Sequence, residues 1–365
     1  MSDDVLVLIL ALMPVKDAVA TSSLATRWRY VWRNLSQLNF YGPDHFCNGV
    51  RVASLDEGER EKYVNQVNSA IRSYKHPKVK DFRIRYGLNR NHKKVIDNWL
   101  EFAVVKKVEF LELDLLSISD NYDFPRRLYL YIQIIPRTPY LKKLILKNVN
   151  LTKEIFHEII KQSPLLEMAS IHYPRYLDHI QIDGQARYLK RFEIQENYYL
   201  KSICLSNLDL ISSFALSLQY LSISVDEPED FSIIDSVSEL PNLKKLRLAV
   251  GGSNDDCLLF LASVLNACPN LETFSIRPCW TSPIIRRKKA RDATNPHTHL
   301  KLVEIAKYKG RKCDFELAAY IIQTTVSLKK VVIAISNDST MKEVLHSRAK
   351  LIESIKPKGV ELVIV

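Results

Sequence analysis

The chain has 365 residues, of which 47% are hydrophobic and 25% charged, and its formal net charge at pH 7 is +11. This length and composition are typical of one large or two ordinary folded domains and argue against long disordered segments. The nine glycines argue against glycine-rich phosphate loops. The six cysteines form no Cys-x-x-Cys pair, and without a secretory signal we interpret them as reduced, mostly buried thiols.

A run of nine apolar residues, from Val5 to Met13, lies near the start of the chain. The acidic pair Asp3-Asp4 precedes it, where negative charge favours a helix N-terminus, and Pro14 follows it, where a helix has to stop. The helix faces predicted from this run are Leu6, Ile9, Leu10 and Met13 on one side, and Val5, Leu8 and Leu12 on another. A helix that is apolar on all sides must be covered on all sides. Nine residues are too few to span a bilayer, so we expect no membrane partner.

Two more short helices are predicted before residue 36. Val15 to Thr21 forms the second helix, and the third, capped by Ser22 or Ser23, runs through Leu35. The apolar residues at helical spacing in the third helix are Leu24, Trp28, Val31, Trp32 and Leu35. Three helices in about forty residues cannot bury this much apolar surface by themselves. We therefore expect another surface to cover the remainder.

The motif formed by Pro14, Lys16-Asp17, Ser22, Arg27-Trp28-Arg29 and Trp32 resembles a plant F-box. F-box segments dock on a Skp-family adaptor that joins them to a cullin–RING ubiquitin ligase, so the resemblance implies that this adaptor supplies the cover. The predicted adaptor-binding residues are Leu6, Ile9, Leu10, Pro14, Leu24, Trp28 and Trp32. F-boxes usually carry Leu-Pro before the acidic pair, and we expect this one to be slightly truncated at its N-terminus. The alternative is a helical cap packed on the rest of the same chain.

Residues 41–78 are predicted to form a helical joint. Tyr41-Gly-Pro-Asp44 is a turn signal. Lys62 to Tyr74 then predicts an amphipathic helix. Its apolar side carries Tyr63, Val67, Ala70, Ile71 and Tyr74.

From Val79 onward one pattern recurs, in which Leu or a similar residue is followed by apolar residues three and five positions later. The copies begin at Val108, Leu141, Leu166, Leu189, Leu200, Leu218, Leu243, Leu271, Leu300 and Leu328. A period of 25 to 29 residues over the later copies is the signature of leucine-rich repeats, with one short strand per copy. The close spacing of the copies between residues 189 and 223 leaves the repeat boundary there open. Stacked copies form a curved parallel sheet with outer helices and a continuous core.

Alternate residues of each strand point to opposite sides of the sheet. In Leu243-Lys-Lys-Leu-Arg-Leu248, Lys245 and Arg247 are predicted to lie on the concave face. The corresponding positions are Glu112, Ile145, Ser170, Glu193, Cys204, Ser222, Ser275, Glu304 and Val332. Their mixed chemistry suits a protein-binding surface and converges on no catalytic set. The residues predicted to bind a target protein are Glu112, Glu193, Lys245, Arg247 and Glu304.

The last seventy or so residues resemble the FBD module that closes many plant F-box/leucine-rich-repeat proteins. The matching stretches are Asn295 to Ile305, Tyr308 to Gly310, Phe315 to Ile322 and Leu328 to Ile333. Val95 to Ala103, leading into Val108 to Leu113, is similar to the first repeat of that family. The final segment is expected to cap the stack, with Glu361 to Val365 as the last strand.

Other candidate sites are weaker. His297 and His299 lack a third metal ligand, so we interpret them as a surface turn. Trp99 is expected in the core, whereas Trp280 could stack a ligand beside the basic run at residues 286–291. That run is interpreted as a solvated loop, with a nuclear-import signal and nucleic-acid binding as alternatives. No Gly-rich phosphate loop, His-Glu-x-x-His or Gly-x-Ser-x-Gly motif is present, and no enzyme activity, cofactor, metal or nucleic-acid partner is expected.

The predicted fold is thus α/β, a leucine-rich-repeat solenoid preceded by a small three-helix F-box. The predicted divisions are F-box helices at 1–40, a helical joint at 41–78, leucine-rich repeats at 79–294 and FBD-like terminal repeats with a cap at 295–365. The function implied is a substrate-recognition subunit of an SCF-type E3 ubiquitin ligase, in the nucleus, the cytoplasm or both. The alternative is a repeat scaffold that binds a protein without any ligase association.

Overall fold

The structure, a computed structural model, is described for thirteen stretches of the chain. These are residues 2–13, 15–42, 56–116, 121–125, 138–182, 186–196, 200, 202–204, 213–225, 240–252, 261–280, 297–335 and 342–365. The chain divides into two compact units, Met1–Tyr176 and Leu177–Val365. Among the described residues, no helix combines the length and apolar content that crossing a bilayer requires.

Six α-helices are described in the first unit. They are α1 (Asp3–Ala11), α2 (Val15–Ala20), α3 (Trp28–Val31), α4 (Glu57–Ser73), α5 (Lys93–Val105) and α6 (Lys153–Gln162). Asp3 and Asp4 lie in the first turn of α1, where carboxylates stabilise the helix dipole. The buried side of α4 carries Tyr63, Val64, Val67 and Ala70, and Tyr74 just after the helix is buried as well. The amphipathic helix predicted for the joint is therefore present and begins five residues earlier than expected.

The predicted third helix is wrong in its length. A 3-10 turn spans Thr21–Ser23, α3 contains four residues, and a second 3-10 turn spans Trp32–Asn34. Neither serine caps a helix: the Ser23 hydroxyl donates to the Ala20 carbonyl at 2.8 Å, and Ser22 Oγ has no hydrogen-bond partner within the described residues. Leu35 is extended and leads directly into a strand.

The first unit contains a parallel sheet of five strands with two short strands beside it. The strands are β1 (Gln37–Tyr41), β2 (Asp81–Arg85), β3 (Phe110–Asp114), β4 (Tyr122–Asp123), β5 (Lys143–Lys147), β6 (Val149–Asn150) and β7 (Met168–His172). The main order is β1-β2-β3-β5-β7, and β4 pairs with β6. The parallel pairing of successive repeats confirms the predicted leucine-rich-repeat architecture.

Strand β1 lies before residue 79, where the repeats were predicted to start. It nevertheless pairs in parallel with β2 and therefore belongs to the repeat sheet. Leu35, Leu38 and Phe40 have the same spacing as the repeat pattern, and all three are buried. The same spacing recurs at Val79 before β2 and at Phe82 and Ile84 on β2, and these three residues are buried as well. The repeat signal therefore begins one copy earlier than the sequence analysis placed it.

The second unit contains a parallel sheet of seven strands. A separate pair of short strands, β8 (His179–Gln181) and β10 (Ser202–Cys204), lies outside that sheet. The seven strands of the main sheet are β9 (Arg191–Gln195), β11 (Tyr220–Val225), β12 (Lys245–Gly252), β13 (Thr273–Trp280), β14 (Leu302–Tyr308), β15 (Lys330–Ile335) and β16 (Glu361–Ile364). The main order is β9-β11-β12-β13-β14-β15-β16. Its described helices are α7 (Ser213–Ser217), α8 (Leu261–Asn266), α9 (Lys312–Thr324) and α10 (Lys342–Lys350). The predicted last strand is confirmed, since β16 pairs in parallel with β15.

The copy predicted at Leu200 does not belong to the main sheet. β10 pairs with β8 in a separate two-stranded sheet, whereas β9 pairs directly with β11. Cys204 is therefore wrongly placed on the predicted concave face, and Leu205 lies outside the described residues. The repeat boundary left open between 189 and 223 thus falls between β9 and β11.

Each main strand buries alternate side chains. On β12 and β13 the buried residues include Leu246, Leu248, Phe274 and Ile276. Hydrogen bonds from the turns also link successive copies: the Asn242 side-chain amide donates to the Leu216 carbonyl at the end of α7, and Asn270 donates to the Pro241 carbonyl, both at 2.7 Å. Each copy is thus held to its neighbour through both its core and its turn.

Candidate protein-binding surfaces

The first candidate surface lies on the three-helix head, which we define as the described residues 2–13 and 15–35. Its interior contains Leu6, Leu10, Ala18, Val31, Trp32 and Leu35, all of them buried. Arg27 forms an exposed ion pair with Asp3 at 2.8 Å, which ties the turn before α3 to the start of α1. The head therefore has a small core of its own.

One side of α1 remains exposed and apolar. The apolar side chains at least 39% exposed along α1 and the turn after it are Val5, Leu8, Ile9, Leu12 and Met13. They recur at intervals of three and four residues, which places them on one helix face. Leu8 and Leu12 are 67% and 88% exposed, and Leu24 in the following turn is 71% exposed. We call this face of α1 the apolar stripe.

The apolar stripe corrects the predicted division of the helix. Ile9 and Met13 were expected beside Leu6 and Leu10, but they lie on the exposed face instead. Because the run from Val5 to Met13 is apolar on every side of the helix, its periodicity does not distinguish a buried face from an exposed one.

The predicted adaptor-binding residues fall into three groups. Ile9 and Leu24 are exposed, and Trp28 is partly buried. Leu6, Leu10 and Trp32 are buried, so in this conformation they support the head surface and do not form it. Pro14 lies outside the described residues. Adaptor binding by these residues stays a prediction.

Two buried tyrosines, on α4 and directly after it, contact the first strand and the last residue of the head. Tyr63 on α4 donates its hydroxyl to the Phe40 carbonyl at 2.8 Å, and Tyr74 donates to the Leu35 carbonyl at 2.5 Å. Burial raises the pKa of Tyr63 well above its usual value and that of Tyr74 to about 12, so both hydroxyls stay protonated donors. The chain segment at which the head ends is therefore held by α4.

The second candidate surface is the side of each sheet opposite the buried one, which we call the open face. In the first unit the registered row across β2, β3, β5 and β7 is Arg83, Glu112, Ile145 and Ser170, as the sequence predicted for the last three. Burial raises the pKa of Glu112, an effect that Lys147 and Arg83 oppose. In the next row, Lys147 contacts Asp114 at 3.2 Å. The acidic side chains of these two rows, Glu112 and Asp114, are thus partly desolvated or paired.

In the second unit the predicted row is in register across six strands. It reads Glu193, Ser222, Arg247, Ser275, Glu304 and Val332. Lys245 and Arg247 are exposed, as expected, and Glu304 is partly buried. Glu193 is only 5% exposed and accepts a 2.7 Å hydrogen bond from Arg191 Nε, so its carboxylate is already engaged within the fold. Binding of a target by any of these residues stays a prediction.

A groove of about 400 Å³ lies on this open face, entirely within the second unit. Small side chains from adjacent strands line it, namely Ser222, Ser224, Ala249, Ser275, Ala306 and Ala334. Its charged lining residues are Glu196, Arg247, Arg277 and Glu304. Glu196 has a left-handed backbone (φ 51°) directly after β9, and its carboxylate pairs with Arg277 at 3.1 Å. Sequence reasoning missed this ion pair because its partners are 81 residues apart.

In the part of the chain that the structure describes, the remaining candidate residues do not form a metal site. Among the described residues, no group of three His, Cys, Asp or Glu side chains is placed to hold a metal ion. His299 is exposed, whereas His297 is buried, so the surface turn predicted for this pair is wrong for His297. Trp99 is buried and donates to Asn68 Oδ1 at 2.8 Å, which confirms its core position.

Cys268 is buried, and burial raises the pKa of its thiol to about 12. The thiol is therefore protonated and poorly nucleophilic at neutral pH. The basic run at 286–291 and the side chain of Trp280 lie outside what the structure describes.

Comparison with known families identifies two domains. The F-box domain model matches residues 1–39. The model of the At1g61320/AtMIF1 LRR domain matches residues 201–357, which include β11 to β15. The predicted FBD module overlaps the end of the LRR-domain match and stays a prediction.

Curated relatives from Arabidopsis thaliana carry the same two domain names. The F-box/LRR-repeat protein At5g02910 is 28% identical over 213 residues, covering 53% of this chain and 42% of the relative. The putative F-box/LRR-repeat protein At5g02930 is 27% identical over 222 residues, covering 56% and 43%. The putative F-box/FBD/LRR-repeat protein At1g22000 is 27% identical over 246 residues, covering 66% and 47%. The matched stretch thus spans less than half the length of each of these relatives.

Proposed function

This chain joins an F-box to leucine-rich repeats, and we propose that it is a substrate-recognition subunit of an SCF-type E3 ubiquitin ligase. In this role the head binds a Skp-family adaptor, and through it a cullin–RING ligase. The repeats bind a target protein. The domain matches and the domain names of the Arabidopsis relatives support the proposal in general terms.

The apolar stripe is the observation that carries the proposal. It places five large apolar side chains on one face of α1, although the head already encloses a core. Large contiguous apolar patches are rare on the surfaces of monomeric proteins, and where they occur they commonly mark protein-interaction sites. An adaptor that covers the stripe removes Leu8 and Leu12 from water, at roughly 25 cal/mol for each Å² of apolar surface buried.

The protein acts in this proposal by proximity. The head fixes one end of the complex on the ligase and the open face holds the target. A target lysine then experiences a high effective concentration of the ubiquitin-loaded conjugating enzyme. The chain itself supplies no reacting group. The proposal places it in the nucleus, the cytoplasm or both, which a fluorescent fusion would locate.

Co-expression of the full chain with a Skp-family adaptor tests the proposal. The parent chain is expected to co-purify with the adaptor. Leu8→Asp and Leu12→Asp are each expected to lower the affinity at least about tenfold, because an unpaired carboxylate is costly to bury in an apolar interface. Both positions are exposed in the isolated chain, so the fold should be preserved.

Val105→Asp is the matched control, since Val105 is 72% exposed at the end of α5, outside the head. It introduces the same charge on an exposed apolar position and should leave adaptor binding unchanged. A parent chain that does not bind the adaptor, or stripe variants that bind it fully, would contradict the proposal. The first result would favour the scaffold alternative.

A further inference from the structure

The charged residues of the groove on the second unit differ in whether they are paired. Arg277 and Glu196 neutralise each other at 3.1 Å. On the same open face, Arg191 of β9 donates a hydrogen bond to Glu193 of that strand and neutralises its carboxylate. Arg247 and Glu304, which also line the groove, form no ion pair or hydrogen bond with any described residue. Within the groove, Arg247 and Glu304 are thus two unpaired opposite charges beside the paired Glu196 and Arg277.

The register explains why Arg247 and Glu304 do not pair with each other. Arg247 on β12 lies opposite Ser275 on β13, which lies opposite Glu304 on β14. Two strand spacings, or about 9–10 Å, therefore separate their backbones. Ser275 between them is too short to bridge either charge. The result is a slot with a cation at one end, an anion at the other and a small hydroxyl side chain between.

The Glu196–Arg277 pair forms one side of this slot. It joins the end of β9 to β13, and the registered positions that it passes are Ser224 on β11 and Ala249 on β12. Because these two side chains are small, the ion pair can extend over them and leave depth beneath. Bulky residues at these positions would fill the groove. The small lining residues therefore leave a groove with room for side chains of a bound segment.

We infer that this groove takes an extended segment of the target protein that places an acidic side chain against Arg247 and a basic side chain against Glu304. The inference rests on the proposed function, since it names the chemistry by which the repeats select a target. Side chains two residues apart on an extended segment emerge on one face about 6.6 Å apart. The length of the Arg247 side chain spans the rest of the separation. Partly buried Glu304 gains the partner that the fold does not give it.

Three pools of short peptides of equal length test the inference on the full chain. One pool carries an acid and a base two residues apart among small residues, one carries two bases, and one carries two acids. The parent chain is expected to bind the acid–base pool with about tenfold higher affinity than either other pool, which is the effect of one charge-assisted hydrogen bond. The pools are compared by fluorescence anisotropy with the purified protein.

Charge reversal at each end should redirect the preference. Arg247→Glu leaves two unpaired anions in the groove and is expected to prefer the two-base pool. Glu304→Lys leaves two unpaired cations and is expected to prefer the two-acid pool. Because the two variants shift the preference in opposite directions, general loss of folding cannot imitate the result.

Lys329→Glu is the matched control. Lys329 is exposed in the turn before β15 of the same unit and outside the groove lining, and its reversal changes the net charge equally. It should keep the preference of the parent chain. The inference is overturned if the parent shows no preference or binds no pool, or if Lys329→Glu shifts the preference as Arg247→Glu does. Adaptor binding is measured separately through the head, so a failure here leaves the proposed function standing.

Discussion

The head and the sheet of the second unit are both rich in leucine, yet they use it in opposite ways. Strand residues such as Leu246 and Phe274 are almost completely buried, because the copies before and after cover them. On the head, Leu8 and Leu12 face water although they belong to an equally apolar segment. A stack of repeats completes its own core by adding copies. A head this small cannot do so, and in the proposed function an adaptor covers its remaining apolar surface.

The largest effect expected from this difference concerns stability. Phe274→Ala removes a fully buried ring from β13 and should lower the free energy of unfolding by about 3–5 kcal/mol. Leu12→Ala on the apolar stripe removes a side chain that is already in water and should change it by less than about 0.5 kcal/mol. Urea unfolding of both variants measures the contrast. Equal effects would show that the stripe is covered within the chain.

Two tryptophans sharpen the comparison inside the head. Trp32 is buried, so Trp32→Ala should destabilise the head by about 3–5 kcal/mol through loss of packing. Trp28 is partly exposed, and Trp28→Ala should weaken adaptor binding by about 2–4 kcal/mol as an interface anchor does. Calorimetric titration with the adaptor and unfolding curves separate the two effects. Full retention of adaptor binding by Trp28→Ala would remove that residue from the interface.

The repeat ladder could be predicted from the sequence because its spacing is a direct consequence of its geometry. The first apolar residue of each copy lies in the turn before a strand. The apolar residues three and five positions later are the two buried positions of that strand. The same pattern at Leu35 marks β1, which went unrecognised beside the head motif. At Leu200 the pattern was present without the pairing, since only the hydrogen bonds to a neighbour decide which sheet a strand joins.

The surfaces were harder to predict than the ladder. Register alone gave the row that contains Arg247, Ser275 and Glu304, because every copy contributes one residue to it. It could not tell that Glu193 is neutralised by Arg191, or that Glu196 turns back after β9 to meet Arg277. On α1, where every position from Val5 to Ala11 is apolar, no pattern distinguished the buried side from the apolar stripe. Such features depend on contacts between residues distant in the chain.

A pH-dependent effect tests how well the second unit excludes water between copies. His297 is buried between two copies, where its backbone N–H donates to the Thr324 carbonyl at 2.8 Å, and burial lowers its pKa. The folded state therefore binds a proton less readily than the unfolded chain, whose His has a pKa of about 6.5. Stability is full above that value and declines as pH falls below it.

His297→Gln should reduce this acid-dependent loss of stability, because an uncharged side chain replaces the one that resists protonation. The matched control is His299→Gln two residues later, where the side chain is exposed. Unfolding curves between pH 7.5 and 5.5 measure the difference, with the range set around the ordinary pKa of about 6.5. If both variants follow the parent chain equally, His297 is open to water and the copies are less tightly closed than described.

The smallest effect concerns the charges that connect one copy to the next. Glu272, in the turn before β13, contacts Lys244 of the preceding copy and Lys301 of the following copy, each at 3.1 Å. These two lysines lower the pKa of Glu272, so the bridge is charged at neutral pH. Glu272→Gln should lower the urea midpoint slightly in low salt and not at all in high salt, because exposed ion pairs are screened. A loss that persists in high salt would mean that neighbouring copies depend on this bridge as well as on their shared apolar core. The contrast between the repeats, whose core is complete, and the head, whose core is not, would then be smaller than the buried leucines indicate.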